Sequence, residues 1–138
     1  MKKVDEVMFE HALKAYSNAY TPYSKFNVGA VVKLKNGEYI TGSNIENASY
    51  GLSNCAERSA LFNTYSRGYR KDDIETMMVI GATDGPISPC GACRQVMSEL
   101  VDLDSKVVLT NLKKDIKEIT VRELIPFSFN DGDMKNVK

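Results

Sequence analysis

Three cysteines, the only ones in the chain, fall in two short segments, Cys55-Ala56-Glu57 and Pro89-Cys90-Gly91-Ala92-Cys93. Three thiolates are one ligand short of the closed tetrahedral set of a structural zinc site, which leaves the fourth position on a metal open to water. Glu57 stands two residues after the first cysteine. Water activated by zinc beside a fixed carboxylate is suited to attack an electron-poor carbon near neutral pH, so the expected chemistry is hydrolytic. Cys90 and Cys93 sit where a helical pattern begins, and Cys55 opens another, with Ala56, Ala60, Leu61 and Thr64 on recurring faces. Both segments are thus expected at helix N-termini, whose partial positive charge and unpaired N–H groups favour thiolate.

A Cys-x-x-Cys pair also serves as a redox couple or as half of a structural zinc site. The redox reading leaves Cys55 and Glu57 without work, and the structural reading lacks a fourth ligand. His11, the only histidine, lies inside an amphipathic helical pattern and reads as an ordinary helix residue. The same shortage of histidine disfavours a serine-histidine-acid hydrolase.

The elements that must position these residues follow from periodicity and turn signals. Apolar residues recur at helical spacing from Asp5 to about Ala19, with Pro22 ending the helix. Two antiparallel strands, Val28 to Leu34 and Tyr39 to Gly42, flank the hairpin signal Asn36-Gly37. A helix from Cys55 to about Tyr65, a charged loop from Arg67 to Asp73 and a buried strand from Thr76 to Ala82 come next. A helix from Cys90 to about Val101 leads to strands at Lys106 to Thr110 and Ile116 to Val121. The link between these last two strands is too short for the crossover a parallel pair needs, so they are expected to be antiparallel. The order describes an α/β fold: a mixed five-stranded sheet with helices on both faces. The tail from Pro126 to Lys138 is polar apart from Phe127, Phe129 and Met134 and is expected to fray at its end.

A chain of 138 residues with 43% apolar residues is expected to form one domain over 1–138. Lys plus Arg and Asp plus Glu each number 18, so the net charge is zero and no basic excess favours a polynucleotide partner. Met1-Lys2-Lys3-Val4-Asp5-Glu6 turns acidic before any apolar run, which does not read as a secretory signal, and no stretch is suited to span a membrane. An odd number of cysteines held by metal fits a reducing compartment, and the expected location is the cytoplasm.

Three segments, Thr21-Pro22-Tyr23-Ser24-Lys25-Phe26, Gly42 through Arg58 and Pro89-Cys90-Gly91-Ala92-Cys93-Arg94-Gln95, resemble the small homotetrameric cytidine deaminases of pyrimidine salvage. The resemblance covers about Tyr20 to Phe129, and cysteine rather than histidine at position 55 points to the small cytidine type. It implies a three-layer α/β/α cytidine deaminase-like fold and hydrolysis of cytidine and deoxycytidine to uridine and deoxyuridine plus ammonia. Cys55, Cys90 and Cys93 would hold one zinc per chain, with Glu57 as the proton shuttle to cytosine N3 and the 4-amino group.

The resemblance further implies that Phe26 lines the pocket, Asn44 and Glu46 bind the ribose 3′-hydroxyl, and the Ala56 and Glu57 N–H groups bind the cytosine carbonyl. Arg58 would donate to the thiolates and offset the net negative charge of a three-thiolate zinc site. Ala48, Tyr50 and Phe129 would complete a neighbour's pocket in a homotetramer with composite active sites; Phe127 is the other candidate aromatic. The plainer readings are Phe26 as core, Asn44 to Asn47 as a polar loop after a hairpin strand, and Arg58 as a surface helix residue. Arg94 and Gln95 read as structural. Asn27 departs from the proline that relatives often carry after the phenylalanine. Two alternatives remain: a deaminase of a cytosine-containing antibiotic nucleoside, against which the Asn44–Glu46 pair speaks, and a zinc-bearing nucleic-acid-editing protein, against which the zero net charge speaks.

Overall fold

The computed structural model describes residues 5–135; the first four residues and 136–138, where fraying of the tail is expected, lie outside the described residues. The interior strand β1 (Val28–Leu34) is nearly all buried, as expected of a strand covered on both faces. It pairs antiparallel with β2 (Tyr39–Ser43) and with β3 (Ile74–Gly81). In the connecting hairpin Gly37 alone takes the left-handed conformation (φ 95), and its N–H donates to Leu34 O at 3.0 Å. β3 runs parallel to β4 (Lys106–Asn111), which pairs antiparallel with β5 (Ile116–Thr120), giving the order β2-β1-β3-β4-β5. The mixed sheet and its antiparallel last pair are as the sequence leads one to expect.

Alternation along β1 sends residues to two faces. On one, Met8, Phe9 and Ala12 of α1 (Glu6–Ser17) pack against Val31, Met78 and Ile80. On the other, α2 (Ala56–Ser66) and α3 (Gly91–Leu100) bring Ala56, Ala60, Leu61 and Met97 against Ala30, Val32, Met77 and Val79. A fully buried side chain such as Leu61 contributes about 1.5–3 kcal/mol. The two layers approach the sheet closely at two glycines. A Cβ on Gly29 would lie 2.4 Å from Ala12 O, and one on Gly42 would lie 2.2 Å from Ala60 N.

Four expected boundaries shift by a few residues. α1 ends at Ser17, well before Pro22, and Asn27 Nδ2 donates to the terminal carbonyl of Tyr16 at 3.0 Å. Cys55 and Cys90 are the N-cap residues of α2 and α3 rather than their first helical residues. β5 stops at Thr120, because Thr120 and Glu123 form a reciprocal capping box that starts α4 (Val121–Leu124). The tail is not wholly irregular: Asp131–Lys135 forms the short helix α5.

Candidate metal centre and active site

The register places the ends that matter together. Val28 opens β1 opposite Gly81, the last residue of β3, while Gly29 pairs with Ser43 at the end of β2, and Gly81 pairs with Asn111 at the end of β4. The loops 20–27, 44–55 and 82–90 therefore all leave one end of the sheet, the side on which open α/β sheets bind ligands.

The loops 44–55 and 82–90 deliver the cysteines. Cys55 and Cys90 cap α2 and α3, and Cys93 lies in the first turn of α3, donating its N–H to Cys90 Sγ at 3.5 Å. The three sulfurs lie within 4.8 Å of one another, with Cys55–Cys90 at 3.9 Å and Cys90–Cys93 at 3.3 Å. Sulfurs about 2.3 Å from a tetrahedral zinc stand about 3.8 Å apart, so the donor set fits that ion with small adjustments. Hydrogen bonding with Cys93, then the Arg58 guanidinium, brings the Cys55 thiol down to about 5, and the same pairing pushes Cys93 up. Arg58 Nη2 donates to Cys55 Sγ at 3.2 Å, while its buried Nε has no partner.

Glu57 follows the Cys55 cap and is 4% exposed. Burial pushes its carboxyl up, and the charge of Cys55 adds to the shift. Such a group can hold a proton nearer neutrality than an ordinary glutamate, as a proton-transferring residue must. A cavity of about 210 Å³ lies against it, lined by Phe26, Val28, Asn44, Cys55, Ala56, Glu57, Ile87, Ser88 and Cys90.

The structure thus gathers Cys55, Cys90, Glu57, Ala56, Phe26 and Asn44 around one cavity, with the third thiol, Cys93, buried beside them. Asn44 is also a brace: its Oδ1 accepts from Val28 N and its Nδ2 donates to Phe26 O, both at 2.8 Å. Glu46 lines a neighbouring hollow with Tyr23, Ser24, Tyr50 and Ser53. Ala48, Tyr50 and Phe129 are exposed, outside the lining of the cavity. Phe127 is fully exposed, with φ 56, and Phe129 O accepts from Gln95 Nε2 at 2.9 Å. Arg94 secures the metal loop, donating to Pro89 O and Leu124 O, each at 2.9 Å. His11 stacks on Tyr39, its ring centroid 4.6 Å away.

Sequence reasoning missed Ile87, Ser88 and Asn111. Gly81 leaves room for Ile87, whose Cδ1 would lie 2.5 Å from a Cβ there. Buried Asn111 donates to Thr83 O at 2.9 Å and Asp84 O at 3.0 Å, pinning the loop that leads to Cys90. An asparagine closing the apolar strand Val107-Val108-Leu109-Thr110 was the available signal.

Fold and site together define a metal-dependent hydrolase with a cysteine-only ligand set. Residues 2–110 match the family model described as the cytidine and deoxycytidylate deaminase zinc-binding region. A cytidine deaminase of Halalkalibacterium halodurans is 53% identical over 131 residues, covering 95% of this chain and 98% of that protein. Another, from Sporosarcina psychrophila, is 46% identical over 94% of this chain and 93% of its own length. The crystal structure of a Burkholderia pseudomallei cytidine deaminase matches with a TM-score of 0.88 and 46% identity, over 92% of this chain and all of that one. The chain belongs to the cytidine and deoxycytidylate deaminase family, and zinc is its metal.

Proposed function

We propose that this protein hydrolyses free cytidine and deoxycytidine to uridine and deoxyuridine with release of ammonia, as a step of pyrimidine salvage. The observation that carries the reading is the buried Glu57 carboxyl beside three converging cysteines, facing a cavity with an aromatic and an amide in its wall. Cys55, Cys90 and Cys93 would hold the zinc, which when bound would supply the Lewis acidity for water to act as a nucleophile near neutral pH. The chain supplies the rest. Phe26 and Val28 give the base an apolar wall, and Asn44 together with Glu46, which lines the neighbouring hollow, is assigned to the ribose 3′-hydroxyl. The Ala56 and Glu57 N–H groups, at the start of α2, can donate to the base carbonyl. Glu57 takes one proton from the attacking water and places it on ring N3, then takes the remaining proton of the hydroxyl added at C4 and passes it to the 4-amino group, which leaves as ammonia. Water adds at C4 and ammonia leaves, so atoms balance. Arg58 offsets the negative charge of the thiolates.

The cavity, at about 210 Å³, is smaller than most ligand pockets. This supports a homotetramer in which Ala48, Tyr50 and Phe129 from a neighbour complete each site, with Phe127 as the other aromatic within the same tail. Tyr50 is 76% exposed, as a residue reserved for a partner would be. The zero net charge supports nucleosides over polynucleotides as substrates. We place the protein in the cytoplasm, as one domain over 1–138; no helix among the described residues is long and apolar enough to cross a membrane.

The test is ammonia release from cytidine, deoxycytidine, cytosine, cytidine monophosphate and a single-stranded oligonucleotide. Turnover of the two nucleosides and not of the phosphate or the oligonucleotide is expected. Efficient deamination of the oligonucleotide would overturn the reading.

A further inference from the structure

The loop 82–90 reaches the cavity through Ile87 and Ser88, directly ahead of Pro89 and Cys90. Ile87 is held by its backbone and by its side chain. Its N–H donates to Thr110 O at 3.3 Å, and upstream Asn111 Nδ2 binds the carbonyls of Thr83 and Asp84 at 2.9 and 3.0 Å. The side chain belongs to the buried core on the α2 side of the sheet, and its Cδ1 fills the space left by Gly81, 2.5 Å from where a Cβ would stand. A β-branched side chain is stiff at χ1, so one seated in this way has little freedom to swing aside. The wall that Ile87 gives the cavity is fixed.

The lining comes from three segments: Phe26, Val28 and Asn44; the start of α2 from Cys55 to Glu57; and Ile87 to Cys90. The nucleoside reading turns a pyrimidine in one way among them. Its C2 carbonyl takes the N–H groups at the start of α2, N3 faces Glu57, and C4 faces the cysteines. N1 carries the sugar towards Asn44, and Phe26 and Val28 form the apolar wall. With α2 occupied by the C2–N3 edge, the C4–C5 edge on the far side of the ring faces the third segment. There Ser88 is exposed, whereas Ile87 is buried and apolar, as suits contact with a C–H edge.

We propose that Ile87 is a specificity-determining residue whose side chain closes the cavity against position 5 of the pyrimidine, selecting nucleosides that carry only hydrogen there. The inference rests on the nucleoside reading above. 5-Methylcytidine would react as cytidine does, taking up water at C4 and releasing ammonia to leave 5-methyluridine. The barrier lies in seating the added methyl. One carbon more or less in an apolar pocket changes kcat/KM by about 10–200-fold.

The test measures kcat/KM of the zinc-loaded full chain for cytidine and for 5-methylcytidine in wild type, Ile87→Val and Ile87→Ala. The wild type should prefer cytidine by about tenfold or more. The ratio of 5-methylcytidine to cytidine should then rise about threefold in Ile87→Val and about tenfold or more in Ile87→Ala, as carbon is removed from the wall. A purely structural role for Ile87 would slow both substrates alike and leave that ratio where it was. Ile87→Val removes one methylene and keeps the β-branched shape, so it decides the matter should Ile87→Ala fail to fold. Equal use of both nucleosides by the wild type, or a ratio within about twofold of wild type in the folded variants, would overturn the inference. Turnover of cytidine would in that case leave the nucleoside reading standing. No turnover of cytidine by the wild type would overturn both.

Discussion

At the scale of residues, the site brings opposite charges into one small volume. The thiol of Cys55 is drawn down to about 5 by Cys93 and Arg58, and Glu57 is pushed up by burial beside it. Removing the guanidinium leaves the thiolates facing one another without compensation. Arg58→Ala is therefore expected to lower zinc affinity by about 10–100-fold, as loss of a ligand's hydrogen-bonding partner commonly does, read by competition with a chelator. The spacing of Cys55, Glu57, Cys90 and Cys93 made this chemistry legible in the sequence, because short-range spacing at a helix start fixes geometry. What Glu46 touches was not legible: its partners Tyr23 and Ser24 are 23 and 22 residues away, and only the folded loops bring them together.

At the scale of elements, α2 carries Cys55 and Glu57 on one face of the sheet, and α1 covers the other without touching the site. This separates two substitutions of the same kind. Gly42→Ala would drive a Cβ into Ala60 N and Ala56 O, 2.2 and 2.7 Å away, and so push α2 off the sheet. Gly29→Ala would do the same to α1 at Ala12 O and Tyr16 N, each 2.4 Å away. Both should lower the midpoint of thermal unfolding, by an overpacking penalty of about 1–3 kcal/mol. Only Gly42→Ala should also lower zinc content and activity in the protein that remains folded; equal zinc loss in both would contradict the division of labour between the layers. The strands and main helices were readable from periodicity, whereas the start of α4 was hidden because Ile119, Thr120 and Val121 are β-branched and continue the strand pattern begun at Ile116. The signal against it was present in Thr120-Val121-Arg122-Glu123, whose spacing forms the capping box.

At the scale of the whole molecule, strand order and site agree: three loops from one sheet end meet at the cysteines, and the aromatics of the 44–55 loop and the tail are left outward. A sequence cannot show which exposed ring a neighbour covers, since burial against another copy leaves no periodic mark in the chain. The tetramer reading makes a specific demand. Glu57 and Tyr50 would come from different chains at one site, so Glu57→Ala and Tyr50→Ala variants, each inactive alone, should regain part of the activity when co-expressed. Light scattering should give four times the chain mass. Mixed oligomers that demonstrably form and stay inactive, or a monomer in solution, would remove the shared site.

The central claim is that Glu57 moves protons beside a three-thiolate zinc, and it is tested most directly by measuring zinc content and ammonia release from cytidine on one preparation of Glu57→Gln. The amide keeps the shape of the side chain and cannot carry the proton. The predicted result is one zinc per chain, as in wild type, with turnover reduced by about 10²–10⁴-fold. Wild-type turnover in a variant that holds its zinc would contradict the account.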